Sequence, residues 1–179
     1  MEKVESSKNK IRKIYVLGPT GSGKSFLAKK LSEILKIKSY DMDDVRFIKK
    51  YTKSRSNEKR KKLVDKILKN KKWIIDGRGT DWDRHAMNRA DLIIQLKTPE
   101  YKRTYRIFKR YLKRRKDPHL KENFFDPFNL VKYSLSYRFG KRTTSHSQIS
   151  RFLSYNNLVP IIIKNRKELN HLLEKIKNG

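Results

Sequence analysis

Apolar positions along the chain come in two kinds of stretch that alternate. Short runs, IRKIYVL at Ile11–Leu17, WIID at Trp73–Asp76, DLIIQL at Asp91–Leu96 and LVPIII at Leu158–Ile163, have the length and β-branched content of buried strands. Ile37–Met42 predicts a further short strand. Between them the spacing is helical. Lys24–Leu35 places Phe26, Leu27, Leu31, Ile34 and Leu35 near one face, and Glu58–Leu68 is a basic helix with Leu63, Val64, Ile67 and Leu68 on one side. Asp81–Arg89 predicts a short helix. Pro99 sits where proline suits a first turn and opens a long helix to about Lys116, which Asp117-Pro118 breaks. Residues 123–139 and 145–155 read as helical, and Arg166–Lys177 as a closing helix with Leu169, Leu172, Leu173 and Ile176 inward.

Strands alternating with helices imply βαβ units, hence an α/β fold whose mainly parallel sheet is covered on both faces. No linker divides residues 1–179, so one domain is expected. Residues 117–150 depart from the alternation and are the natural place for an inserted lid; with the long helix before them, the lid is expected within about 101–142.

Composition narrows the chemistry. The absence of cysteine excludes disulfides, thiolate metal sites and cysteine nucleophiles. The longest apolar run, Leu158–Ile163, is far short of the ~20 residues of a membrane span. MEKVESSKNKIRK lacks the apolar middle of a secretory signal, so a cytoplasmic protein without membrane insertion is expected. Charge alters the picture most. The 47 Lys and Arg against 18 Asp and Glu give +29, and residues 101–142 alone carry +11. Such a field attracts nucleotides and other polyanions, and allows non-specific nucleic-acid binding.

Residues 18–25, GPTGSGKS, form a complete G-x-x-x-x-G-K-S/T phosphate loop between a predicted strand and a predicted helix, the context its mechanism requires. Gly18, Gly21 and Gly23 allow the tight turn that aims backbone N–H groups at phosphate. Pro19, Thr20, Ser22 and the adjoining Phe26 complete the expected nucleotide contact. The next helix adds its positive end. Lys24 is expected to reach the β- and γ-phosphates from an exposed position, and Ser25 to hold Mg²⁺. No N-K-x-D guanine-reading sequence is present, which argues against a GTPase.

Asp41, Asp43 and Asp44 cluster where the second strand should end, and Asp76 ends the third. Ligands of open α/β sheets lie at those carboxyl ends. Asp76 suits the metal, through water, and Asp43 is the candidate base that orients an acceptor hydroxyl. The competing structural reading is that these acids cap the helices that follow. The long helix carries Arg103, Arg106, Arg110 and Arg114, the last three four apart on one face. Arg106 and Arg110 are the candidates for neutralising the moving phosphoryl group, and Arg142 is a further nucleotide-binding candidate. Arg78 and Arg84 follow the Asp76-Gly77 turn, where they bind an anionic acceptor or are simply surface. The histidines at 85, 119, 146 and 171 show no zinc spacing. Phe124, Phe125, Phe128, Tyr133 and Tyr137 read as a packing face.

Four blocks, GPTGSGKSFLAKKLSEIL, SYDMDDV, KKWIIDGRGTDWDRHAMNRADLIIQL and YRIFKRYLKRR, together with VPIIIKNRKELNHLL, resemble the adenylate-kinase-like P-loop proteins usually labelled DNA topology modulation proteins. The resemblance implies a nucleoside-monophosphate-kinase-like P-loop NTPase fold. It has a five-stranded parallel sheet of order 2-3-1-4-5, a mobile helical lid, and ATP with Mg²⁺. Where that family often reads D-G-N-Y, this chain has Asp76-Gly77-Arg78-Gly79, and the D-G-F-P-R of adenylate kinases is absent. The expected activity is an ATP-dependent phosphotransfer to the hydroxyl or phosphate of an unidentified small molecule or nucleotide. The alternatives are a polynucleotide 5′-hydroxyl kinase and a nucleic-acid-binding ATPase.

Overall fold

The computed structural model describes residues 11–48, 53–115 and 146–178, without the side chains of residues 113–115 and 146. The helix expected at 123–139, most of the expected lid beyond residue 115, and Arg142 lie outside them.

Five parallel strands, β1 (Lys13–Leu17), β2 (Ser39–Asp41), β3 (Trp73–Gly77), β4 (Leu92–Leu96) and β5 (Ile161–Ile163), form one sheet in the order β2-β3-β1-β4-β5. The register pairs Val16 with Asp76 and Asp41 with Asp76. The carboxyl ends of β1, β2 and β3 therefore open at one level. Every residue of β3 and β4 is buried. This is why those strands read as unbroken apolar runs rather than as alternation.

Alternate residues of β1 supply two cores. Ile14 and Val16 pack with Leu27, Ala28 and Leu31 of α1 (Lys24–Leu35) and with Leu172 of the C-terminal helix. Tyr15 and Leu17 face the other layer. It consists of α2 (Met42–Arg46), α3 (Asn57–Leu68), a 3-10 helix (Arg84–Arg89) and the first helix after the undescribed segment, and supplies Val45, Val64, Ile67, Trp82, Met87, Ile149 and Leu153. The later helices are α4 (Glu100–Arg115), α5 (His146–Tyr155) and α6 (Arg166–Asn178). Burying each large aliphatic side chain stabilises the fold by roughly 1.5–3 kcal/mol. No helix among the described residues is long and apolar enough to cross a membrane.

The boundaries differ from expectation where polar side chains intervene. Ile37–Met42 is expected to be strand, but β2 is only Ser39–Asp41. The Asp41 carboxylate accepts the N–H of Asp43 at 2.8 Å and starts α2, an N-cap that wins over extension. The far end of α2 is held by Arg55, whose Nη1 donates to the carbonyls of Asp44, Val45 and Phe47. Ser56 caps α3. Leu63, expected inside, is 37% exposed at the edge of that helix. Asp81–Arg89 is expected to be helix throughout, yet only Arg84–Arg89 is helical, as 3-10, because Thr80 and Asp83 bond to each other ahead of it. Similarly, Leu158–Pro160 is not strand, and β5 begins at Ile161.

Candidate functional site

The phosphate loop leaves the end of β1 and enters α1. Gly21 and Gly23 have φ of 77° and 102°, in the region that glycine alone enters without strain. A Cβ on Gly21 would stand 2.8 Å from the carbonyl oxygen of Arg103, so α4 packs directly on the loop. Two side chains join loop and flank. Thr98 Oγ1 donates to the Ser22 carbonyl at 2.9 Å, and Arg106 Nη1 donates to the same carbonyl at 2.9 Å and to that of Gly21 at 3.3 Å. Helix α1 starts at Gly23 with no side-chain cap and no acid in its first turn, so its N-terminal N–H groups and positive end are left for an anion.

Lys24, Ser25 and Asp76 meet at the base of this turn. Ser25 Oγ donates to Asp76 Oδ2 at 2.5 Å, and Lys24 Nζ lies 3.7 Å from Oδ1 and donates to the Pro19 carbonyl at 3.2 Å. The expectation of an exposed Lys24 is corrected. Its side chain is 11% exposed, drawn inward by a carboxylate that is itself 5% exposed. Burial pushes the Asp76 carboxyl above the usual range; the Lys24 charge and the Ser25 hydroxyl oppose this, while Asp41 and Asp43 add to it.

Across the cleft, α2 presents Asp43 and the turn after β3 presents Arg78, with Arg78 Nη2 3.3 Å from Asp43 Oδ1. The cleft, about 130 Å³, is lined by the loop from Thr20 to Phe26, except for the buried Ser22, together with Asp43, Asp76, Arg78, Thr80 and Arg110. The structure thus gathers Lys24, Ser25, Asp43, Asp76 and Arg110 at one opening. Phe26 borders the same opening and is 59% exposed. Arg106 grips the loop's carbonyls. Arg103 is different: 4% exposed, it pairs with Glu100 within α4. Arg84 bonds Asp81 at 3.0 Å and lies over the Phe152 ring, away from the cleft lining. Arg114's side chain and Arg142 are outside the described residues.

Three contributors escape a reading of the sequence. Tyr15, in the middle of β1, donates its hydroxyl to Asp83 Oδ2 at 2.8 Å and accepts the N–H of Gly79 at 3.1 Å; Thr80 donates to Asp83 Oδ1. Asp83 is fully buried, and burial holds its carboxyl above the usual range against the bonds from Thr80 and Tyr15 and the charge of Arg78. The Tyr15 phenol is pushed well up by burial and by Asp83. These groups fix the turn that carries Arg78. Thr98 is the third. The one sequence signal, a tyrosine inside an apolar strand, does not name its partner 68 positions away.

A model of the AAA domain family matches residues 14–126, which contain the loop, both acids and the start of the arginine helix. The chain belongs to the AAA domain family. Its curated relatives include the uncharacterized protein YqaC of Bacillus subtilis (strain 168), 34% identical over 105 residues; the match covers 56% of this chain and 59% of that protein's length. Among solved structures, this AAA domain chain is similar to the shikimate kinase of Acinetobacter baumannii in complex with shikimate, with a TM-score of 0.56 and 17% identity. That match covers 93% of this chain and 90% of the other. It is also similar to a gluconokinase of Sinorhizobium meliloti 1021, at a TM-score of 0.54 and 12% identity over 94% and 91% of the two chains. With the strand order, these matches establish a P-loop kinase-like α/β fold, that of the P-loop NTPases.

Proposed function

We propose that the chain is an ATP-dependent phosphotransferase acting on a small acceptor. One observation carries the reading. A phosphate loop with its Lys24–Ser25–Asp76 cluster lines a cleft, and a second carboxylate, Asp43, lines the same cleft beside a cation. A carboxylate so placed can serve as the base that orients an acceptor oxygen. The solved structures of similar fold include a shikimate kinase and a gluconokinase, which supports a small acceptor. The finer likeness to adenylate-kinase-like proteins labelled DNA topology modulation proteins supports ATP.

The residues fit the nucleotide and its metal. The uncapped start of α1 and the glycine turn suit a phosphate chain. Ser25 and Asp76 offer two hard oxygen donors. That is what Mg²⁺ takes from a protein when phosphates and water complete its shell. Among the described residues no larger acidic or histidine cluster competes for metal. Bound ATP with Mg²⁺ would supply the phosphoryl group and neutralise part of its charge. Lys24 steadies the phosphate oxygens, and Ser25 and Asp76 hold the metal side. Asp43 orients the acceptor oxygen and takes its proton. Arg110 adds a cation at the opening, and Arg106 keeps the loop carbonyls turned away from the phosphates. The charge of residues 101–142 favours one second reading, a kinase of nucleic-acid 5′-hydroxyls. The test is a phosphotransfer screen with ATP and Mg²⁺ over nucleosides, nucleotides, small alcohols and 5′-hydroxyl oligonucleotides. Lys24-dependent ATP hydrolysis with no phosphorylated product from any class would sink the kinase reading.

A further inference from the structure

The geometry points to the class of acceptor: a small molecule in which the hydroxyl to be phosphorylated lies within a few bonds of an anionic group, carboxylate or phosphate, with Asp43 taking the hydroxyl and Arg78 the anion. This rests on the kinase reading and narrows it. Asp43 and Arg78 are 3.3 Å apart and line the same cleft as Lys24, so an acceptor that enters there meets a base and a guanidinium at once. A neutral alcohol satisfies Asp43 but offers Arg78 no anionic oxygen in place of the carboxylate it gives up. An acceptor with its own anion replaces both halves of the pair, through a planar fork that matches carboxylate and phosphate oxygens.

The cation is held in place by a built support. Gly77 has no room for a side chain, its would-be Cβ falling within 2.1 Å of the Tyr15 hydroxyl. Gly79 takes a φ of 68° and donates its N–H to that hydroxyl. Asp83, fully buried, anchors Tyr15 and Thr80 together. Ordering a fully buried carboxylate is costly unless something nearby gains by it. What gains here is the fixed direction of the turn bearing Arg78, whose charge also faces Asp83. In the transfer, the bond between the γ-phosphorus and the β,γ-bridging oxygen breaks. A bond from the acceptor oxygen to that phosphorus forms, ADP leaves with the bridging oxygen, and the hydroxyl proton passes to Asp43.

The experiment compares glycerate, erythronate and gluconate with glycerol, erythritol and glucitol, with glycerol and erythritol phosphates, and with a 5′-hydroxyl oligonucleotide. The full chain is used with ATP and Mg²⁺, and the phosphorylated product is detected directly by phosphorus NMR. The acids or the phosphates should exceed the matched polyols by about 30-fold or more in kcat/KM, which at 1.4 kcal/mol per tenfold is about 2 kcal/mol. The carboxylate and phosphate arms identify which anion is used. Arg78→Gln should bring that ratio close to one, and Arg78→Lys should retain part of it. A ratio taken within one preparation does not depend on how much of a variant is folded. Calorimetric titration of the acids without nucleotide should show binding that weakens in Arg78→Gln. Polyols matching the anions, or a preference that survives in Arg78→Gln, overturns the inference while leaving the kinase reading intact; phosphorylation of the oligonucleotide alone overturns the inference and the small acceptor together. No product from any arm overturns both.

Discussion

Lys24 is tied to Asp76 and Ser25 before any nucleotide arrives, and its replacement therefore does two things. Lys24→Ala should abolish turnover, and it should also lower stability by about 2 kcal/mol, because a buried carboxylate loses its cation while keeping the Ser25 hydroxyl. Adding Asp76→Asn should restore most of that stability and none of the turnover, read by urea unfolding and ADP release. Used singly, the acids separate. Asp76→Asn should impair all ATP chemistry, background hydrolysis included, whereas Asp43→Asn should chiefly cut transfer to the acceptor. Equal losses in both activities for both variants would overturn the division of roles. The phosphate loop and the two acids were legible because each belongs to a local pattern, a glycine spacing or a strand end. The burial of Lys24 and the Tyr15–Asp83 bond were not, since topology alone brings those partners together.

Among elements, α4 has the most unusual role. Its Arg103 carbonyl abuts Gly21, and its Arg106 holds two loop carbonyls. Arg106→Lys should weaken ATP binding about tenfold, since one ammonium replaces a fork poorly; calorimetry checks this. Gly21→Ala should destabilise by about 2 kcal/mol or more, from both the positive φ and the backbone contact. The sequence showed the helix and its arginine face through the four-residue spacing, and assigned those arginines to phosphate. The structure gives Arg106 to the loop and leaves Arg110 at the opening. Strands β1, β3 and β4 were legible as apolar runs because both faces are buried. The edge strand β2 was overextended, since the Asp41 cap lies on side-chain chemistry that hydrophobic spacing does not register.

For the whole molecule, pH and salt are the informative variables. Asp83 and Asp76 are both held above their ordinary range by burial. Such a group binds its proton more tightly folded than unfolded. Its contribution is present below the unfolded value of about 3.9 and is lost as pH rises through the folded value. Asp83→Asn should therefore flatten the decline of stability with rising pH above about pH 4, as urea melts across that range would show. Above about pH 10 the raised Tyr15 phenol acts in the same direction, and Tyr15→Phe should remove that second decline. Any polyanion binding is expected to draw on the basic segment 101–142, which carries +11 of the total +29. Oligonucleotide affinity should fall with a log–log salt slope of roughly 0.7–0.9 per phosphate contacted. A Lys109/Lys113/Lys116→Gln triple variant should lose that binding and keep its turnover. The reverse pattern, turnover lost in the triple variant and kept in Arg106→Lys, would favour the nucleic-acid reading. The net charge was plain in the sequence; its distribution over the surface was not, because spacing does not say which lysines face one another.

The attachment of α4 to the phosphate loop makes that helix a lever. Its 16 residues extend about 24 Å at 1.5 Å each, and its fulcrum is the pair of loop carbonyls near its first turns. A small tilt at the fulcrum sweeps the far end, around Leu112, through a larger arc. A pull at that end is felt as torque on the turn that cradles phosphate. Filling of the loop and the tilt of α4 are then two readings of one angle.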